Sequence, residues 1–272
     1  MLSLFAGTFG AILGLGGGIF LVPALTLLVG VPIKFAVSTS LIAVVATSVA
    51  SSSIYLKKGF TNLRLGLLLE TTTVLGAVIG SSIAIYIKEE FLALLFSFVA
   101  LYTAIAMWRS EKSKNNSLPS EERKATKSFL NLSNEFIDPS TGSQVSYAPK
   151  NLLAGTVLSS TAGAMSALLG IGGGPIKVPL MRLVMGIPLK AATATSSFMV
   201  GITASASALI YLGEGLVKTE LAIPAVLGIF LGARAGALVA GKIKSRYINF
   251  IFVILLIIIA LEMFMKGIGA VL

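Results

Sequence analysis

Gly14-Leu15-Gly16-Gly17-Gly18-Ile19-Phe20-Leu21-Val22-Pro23 decides the fold, because the chain contains this stretch twice. It recurs as Gly170-Ile171-Gly172-Gly173-Gly174-Pro175-Ile176-Lys177-Val178-Pro179, an offset of 156 residues from Gly14 to Gly170. The offset continues without a gap well past the glycines. Gly30, Pro32 and Lys34 fall on Gly186, Pro188 and Lys190; Tyr55 falls on Tyr211; Gly76 and Gly80 fall on Gly232 and Gly236. One unit has been duplicated, and its centre is a glycine break inside an apolar segment.

The surrounding composition says what such a break is for. With 56% hydrophobic and 12% charged residues and a mean hydropathy of +0.95, the chain is outside the range of soluble domains. Uncharged runs at Phe35–Leu56, Phe91–Trp108 and Ala191–Gly213 have the ~20 residues that cross a bilayer core as helix. The fold class is therefore an all-α polytopic membrane protein. No Lys or Arg precedes the first apolar run, which argues against a secretory signal peptide. Cysteine and histidine are both absent, which removes disulfides, thiol chemistry and the usual zinc and haem ligands, so no metal or cofactor is expected. The net charge of +10 is assigned to loops that orient a membrane protein rather than to nucleic-acid binding.

In order, residues 1–108 form a first membrane repeat, 109–150 a polar linker and 151–272 a second repeat. Residues 1–33 carry no charge and are interrupted at the glycines. Each arm then reaches about halfway through a ~30 Å core, which fits a re-entrant hairpin or a broken helix. Helices are expected at Phe35–Leu56, Leu65–Ile87 and Phe91–Trp108, then, after a second broken segment at Asn151–Ile187, at Ala191–Leu212, Thr219–Gly241 and Ile248–Met265. The linker reads as poorly ordered, with room for a short amphipathic helix.

Loop charges give the orientation. Lys57, Lys58 and Arg64 follow the second segment of the first unit, where the second unit has Glu214, Lys218 and Glu220. One loop further on, Lys88, Glu89 and Glu90 face Lys242, Lys244 and Arg246. Equivalent loops thus prefer opposite sides, the pattern of two inverted-topology repeats, each a hairpin plus three transmembrane helices. The linker is then cytoplasmic and both termini are outside.

A helix that starts after a glycine break presents free N–H groups and a positive dipole end. Two such starts near the midplane make Gly16, Gly17, Gly18, Gly172, Gly173 and Gly174 candidates for holding an anion. Glycines for close helix packing are the alternative. Each break is followed by hydroxyls, Ser38, Thr39 and Ser40 in one copy and Thr193, Thr195 and Ser196 in the other. Of these, Thr39, Ser40, Thr195 and Ser196 are candidate donors to an anion, although such groups also bond their own backbone. Arg234 lies within a predicted span where its mate is Val78. It either faces an anion path or pairs with Glu70 or Glu262. Lys177, matched by Leu21, either adds positive potential at the second break or snorkels to the surface. Glu70 and Glu262 are the carboxylates well inside predicted helices and so the candidates for proton coupling. Neither glycine stretch has a dinucleotide or phosphate-loop ending.

The doubled Gly-(Leu/Ile)-Gly-Gly-Gly with its Val-Pro, the Gly-(Val/Ile)-Pro and the following Thr-Ser stretch resemble the sulfite exporter TauE/SafE family, over Leu4–Phe98 and Leu153–Leu261. The resemblance implies a bacterial inner-membrane permease exporting sulfite or a related sulfur-containing or organic anion. It agrees with a secondary transporter working by alternating access, its partners being a small anionic substrate, the bilayer and, for coupling, a proton; homo-oligomerisation is also compatible. An intramembrane enzyme finds no nucleophile or acid–base set to use, whereas a scaffold acting through the linker and an anion channel remain alternatives. Single cysteines introduced at Glu89 and Lys244 should react with a membrane-impermeant reagent from opposite sides; the same sidedness for both would refute the inverted arrangement.

Overall fold

The computed structural model describes residues 1–112, 132–137, 142–240 and 245–269. Its helices are α1 (Leu2–Leu13), α2 (Gly18–Pro23), α3 (Ile33–Lys57), α4 (Leu63–Ala84), α5 (Glu89–Lys112), α6 (Leu152–Leu169), α7 (Gly174–Pro179), α8 (Leu189–Gly213), α9 (Thr219–Val239) and α10 (Ser245–Gly267). Among the described residues, α3, α4, α5, α6, α8 and α9 are long and apolar enough to cross a membrane. Most helix ends run a few residues past the expected spans, farthest at α5, which continues beyond Trp108 to Lys112, whereas α4 and α9 stop short of theirs at Ala84 and Val239.

The glycine break has one geometry in both copies. Gly14 closes α1 in the left-handed region at φ 71°, with its N–H on the Ala11 and Gly10 carbonyls. Gly16 and Gly17 follow at φ 81° and 79°; Gly170, Gly172 and Gly173 repeat this at 69°, 76° and 75°. Three left-handed residues out of four are tolerated only by glycine, and they reverse the chain. The ring centroids of Phe9 and Phe20 then lie 6.3 Å apart across the fold-back. Past the break, α2 and α7 each reach a proline, Pro23 and Pro179, that has no N–H to give. Beyond it the helix widens into a π turn, Ala24–Leu28 and Leu180–Val184. The arms before the break differ: α1 has 12 residues and α6 has 18, about 27 Å, so α6 exceeds the halfway reach expected of it.

Around these hairpins the helices pair crosswise. α1 packs on α9, α6 on α4 and α5 on α10, while α3 and α8 meet at the centre. Gly76 and Gly80 of α4, four residues apart, seat the carbonyls of Ser160 and Ala164; Gly232 and Gly236 of α9 seat those of Leu4 and Thr8. These glycines serve close backbone approach, the small-residue packing of membrane helices. Both pairs ascend together, so α4 runs with α6 and α9 with α1. Along α4, Asn62 and Gly66 meet Thr195 and Glu70 meets Thr203, so α4 also runs with α8. The short turn between α3 and α4 therefore sets α3 opposite in direction to α8. Tyr55 of α3 donates to the Ala11 carbonyl at 2.8 Å, and Tyr211 of α8 to the Ala167 carbonyl at 3.0 Å.

The linker differs from expectation. Asn134–Ile137 and Gln144–Tyr147 form an antiparallel β-hairpin, β1 and β2, in a linker read as poorly ordered with room for a short amphipathic helix. The reason is apolar anchorage. Phe136 and Tyr147 are buried, Phe136 meets Phe60 edge-on at 5.4 Å, and Asn62 Nδ2 donates to the Leu132 carbonyl at 2.8 Å. Any helix between 113 and 131 lies outside the described residues.

Glycine packing predicts a graded mutational response. A Cβ at Gly76 would fall on the Ser160 carbonyl, whereas one at Gly213 meets nothing within 4 Å. Gly76→Ala should lower the unfolding temperature in detergent through overpacking worth about 1–3 kcal/mol. Gly213→Ala should leave it unchanged or raise it through helix propensity, by up to ~1 kcal/mol.

Candidate functional site

The two breaks meet each other. Ser40 Oγ on α3 donates to the Gly170 carbonyl at 2.7 Å, and Ser196 Oγ on α8 donates to the Gly14 carbonyl at 2.9 Å. The bonds are the same contact under the 156-residue offset. A Cβ at Gly174 would stand 2.5 Å from the Gly14 carbonyl oxygen, and one at Gly18 would land on that of Gly170. Val44 and Val200 close on both Gly16 and Gly172, and Leu15 and Ile171 are buried beside them. Tip thus packs closely against tip at the centre of the fold.

This alters the expected role of the hydroxyls. Ser40 and Ser196 were candidates to donate to an anion; in this conformation their protons go to backbone carbonyls. Those carbonyls are the orphan acceptors that a helix end leaves in apolar surroundings. Thr195 Oγ1 accepts from the Asn62 N–H at 3.0 Å. Its mate Thr39 is fully buried and its hydroxyl has no hydrogen-bond partner, which leaves Thr39 as the candidate donor still free. The Ser166 hydroxyl, which the sequence reading did not single out, is likewise buried without a partner, its Cβ beside Gly173.

Next to the second tip lies a buried charge pair. Lys177 on α7 is 1% exposed and Glu70 on α4 is 3% exposed, with Lys177 Nζ 3.3 Å from Glu70 Oε2. Lys177 Nζ also donates to Thr203 Oγ1 on α8 at 2.7 Å, and that hydroxyl donates to Glu70 Oε1. The three side chains tie the second hairpin to both helices that clasp it. The matched positions are Leu21, Val226 and Thr47, so the charges exist in one copy alone. Lys177 therefore does not snorkel to the surface: α7 is held at the core of the bundle, and Glu70 is within reach of its ammonium.

Glu70 consequently does not pair with Arg234, as one alternative had it. Arg234 is an exposed residue of α9, in a groove with Lys57 and Lys58 near the end of α3, and Glu262 is exposed on α10. From Val44 at the tips to Lys57 is thirteen residues of helix, about 20 Å. Of the sequence candidates, the structure gathers the six glycines, Ser40, Ser196, Lys177 and Glu70 around the tips. Arg234 and Glu262 stand apart. Thr203 was missed, since its mate is also threonine and the offset gives no signal there. The Glu70–Lys177 pair had a signal, because both face apolar mates.

The spanning helices and duplicated hairpins define the class, a multi-pass membrane protein. The family model of the sulfite exporter TauE/SafE matches residues 1–263, and the chain belongs to that family of membrane transporters. It is similar to "Probable membrane transporter protein YunE" of Bacillus subtilis (strain 168), 27% identical with 98% of this chain and 97% of that protein covered. It is also similar to "Probable membrane transporter protein YdhB" of the same organism, at 24% with 83% and 82% covered. A third similar protein, "Sulfite exporter TauE/SafE family protein 6" of Arabidopsis thaliana, is 29% identical over 57% of this chain and 32% of its own length. No solved structure matches the chain significantly.

Removing one member of the buried pair should be far worse than removing both. Glu70→Gln leaves the Lys177 ammonium in the core without a counter-charge, which costs about 3–5 kcal/mol and should show as a large fall in unfolding temperature. Glu70→Leu combined with Lys177→Met should recover most of that loss. Equal melting of Glu70→Gln and the parent would refute a stabilising role for the pair.

Proposed function

We propose that the protein is a secondary transporter that exports sulfite, or a related small sulfur-containing or organic anion, by alternating access across the plane where the two hairpin tips meet. The observation that carries the reading is the reciprocal pair of bonds, Ser40 to Gly170 and Ser196 to Gly14. They make one symmetric seal out of two pieces of irregular backbone, and a seal of two equivalent halves can open toward either side. The opposed directions of α3 and α8 and the exchanged loop charges support an inverted repeat about an axis through that seal. The hairpins are then re-entrant, the linker is cytoplasmic and the membrane is the bacterial inner membrane.

In this reading the tips part to admit the anion. The N–H groups of Gly16–Gly18 and Gly172–Gly174 face it, with the Thr39 hydroxyl as donor and Thr195 as its symmetric counterpart. Ser40 and Ser196 exchange a carbonyl for the anion as the seal opens. Arg234 stands outside this path. Glu70 is the coupling carboxylate: a proton on it removes the counter-charge of Lys177 and loosens the grip of α4 and α8 on the second hairpin.

Sulfite counterflow in proteoliposomes tests the reading, with and without an imposed pH gradient. Exchange of labelled sulfite is expected, accelerated by the gradient in the parent and indifferent to it in Glu70→Gln. Absence of flux in a folded, inserted protein would refute sulfite as the substrate. Thr39→Val should preserve stability, because it removes a buried hydroxyl that has no partner. It should raise the KM for the anion about tenfold, the worth of one hydrogen bond to a charged group at roughly 1.5 kcal/mol.

A further inference from the structure

We infer that the groove between α3 and α9 is a binding site for one anionic phospholipid, its phosphate held by Lys57, Lys58 and Arg234. The three cations gather at one end of the groove. Lys57 is the last residue of α3, Lys58 follows it, and Arg234 lies about a turn and a half before the end of α9. Lys58 Nζ reaches the Ala237 carbonyl at 3.3 Å, which brings the end of α3 against α9. Among the described residues no carboxylate is seen to pair with Lys57, Lys58 or Arg234, and no acidic residue lines the groove. Away from the charges the walls are apolar, formed by Val49, Ile54, Phe230 and Leu238. The groove has a volume of about 460 Å³, room for a headgroup and the start of an acyl chain.

The chemistry follows from that gradient. Cations at the end of a spanning helix sit at headgroup depth, while the apolar walls below them sit among acyl chains. A zwitterionic lipid offers a phosphate but brings its own cation; an anionic one matches three uncompensated positive charges. The internal duplication supplies a control built into the chain. At the matching positions of α8 and α4 stand Gly213, Glu214 and Val78 in place of Lys57, Lys58 and Arg234. The duplicated framework is therefore built once without these charges, and a structural role for three like charges side by side is poor because they repel.

The test uses the full-length protein, delipidated in detergent and titrated with phosphatidylglycerol or phosphatidylcholine. Bound lipid is counted by native mass spectrometry and unfolding temperature is followed alongside. One phosphatidylglycerol should be retained and should raise the unfolding temperature, with phosphatidylcholine doing neither. Lys57→Gln with Arg234→Gln should weaken retention at least tenfold while leaving the lipid-free unfolding temperature unchanged; Lys58 is kept because it bonds Ala237. Placing the matched residues Lys57→Gly and Arg234→Val in the groove provides a second variant for which the same loss of retention is expected. Equal retention of both lipids, unchanged retention in both variants, or displacement of phosphatidylglycerol by millimolar sulfite would each overturn the assignment.

Discussion

Non-helical backbone at membrane depth must be covered by protein, because lipid offers its N–H and C=O groups no partner. Everything central to this fold follows from meeting that requirement twice with the same device. Each glycine break leaves helix-end carbonyls exposed, and each is covered by a hydroxyl from the helix that follows the other break. Neither repeat covers the carbonyl of its own first break glycine: Gly14 depends on Ser196, and Gly170 on Ser40. The repeats are thus obligate partners, and the seam between them is also the place where irregular backbone is concentrated. A contact of that kind has two properties a gate needs. It joins two symmetric directional bonds to close packing of Val44, Val200, Leu15 and Ile171, and its two sides are chemically alike.

Much of the architecture was legible from the offset and from hydropathy. The duplication, the chain reversal at the glycines and the placement of the long helices all follow from Gly-x-Gly-Gly-Gly in an apolar run, since only glycine takes three left-handed residues out of four. What the sequence left hidden was partner choice. A hydroxyl just inside a helix is equally suited to an anion or to a carbonyl, and only the fold puts the Gly170 carbonyl next to Ser40. The β-hairpin was masked because its strands are short and its anchors, Phe136 and Tyr147, lie in a stretch whose average composition is polar. Arg234 was misleading for a related reason. Hydropathy locates it along α9 but says nothing about which face it occupies, and it faces the groove with Lys57 rather than the tips.

The departures from symmetry locate the chemistry more sharply than the symmetry does. A duplicated chain states twice whatever the fold requires: the breaks, the prolines, the paired serines, the tyrosines that hold α1 and α6. Charges buried in a membrane protein are costly wherever they are not used, so charges that occupy one copy and not the other are poorly explained by folding. One buried set meets that condition, and one exposed cluster is likewise confined to a single copy. Glu70 and Lys177 replace Val226 and Leu21 at the heart of the bundle, and Lys57, Lys58 and Arg234 replace Gly213, Glu214 and Val78 at its edge. The first set makes the second hairpin alone dependent on an ion pair, so the two halves of the seal are alike in shape but unlike in what releases them. A symmetric carrier with no such difference would respond equally to a proton on either side. Under the proposed coupling, Glu70, the buried carboxylate among the described residues, clamps one hairpin alone, and a response to the proton that reaches it would give the direction of coupling a structural origin.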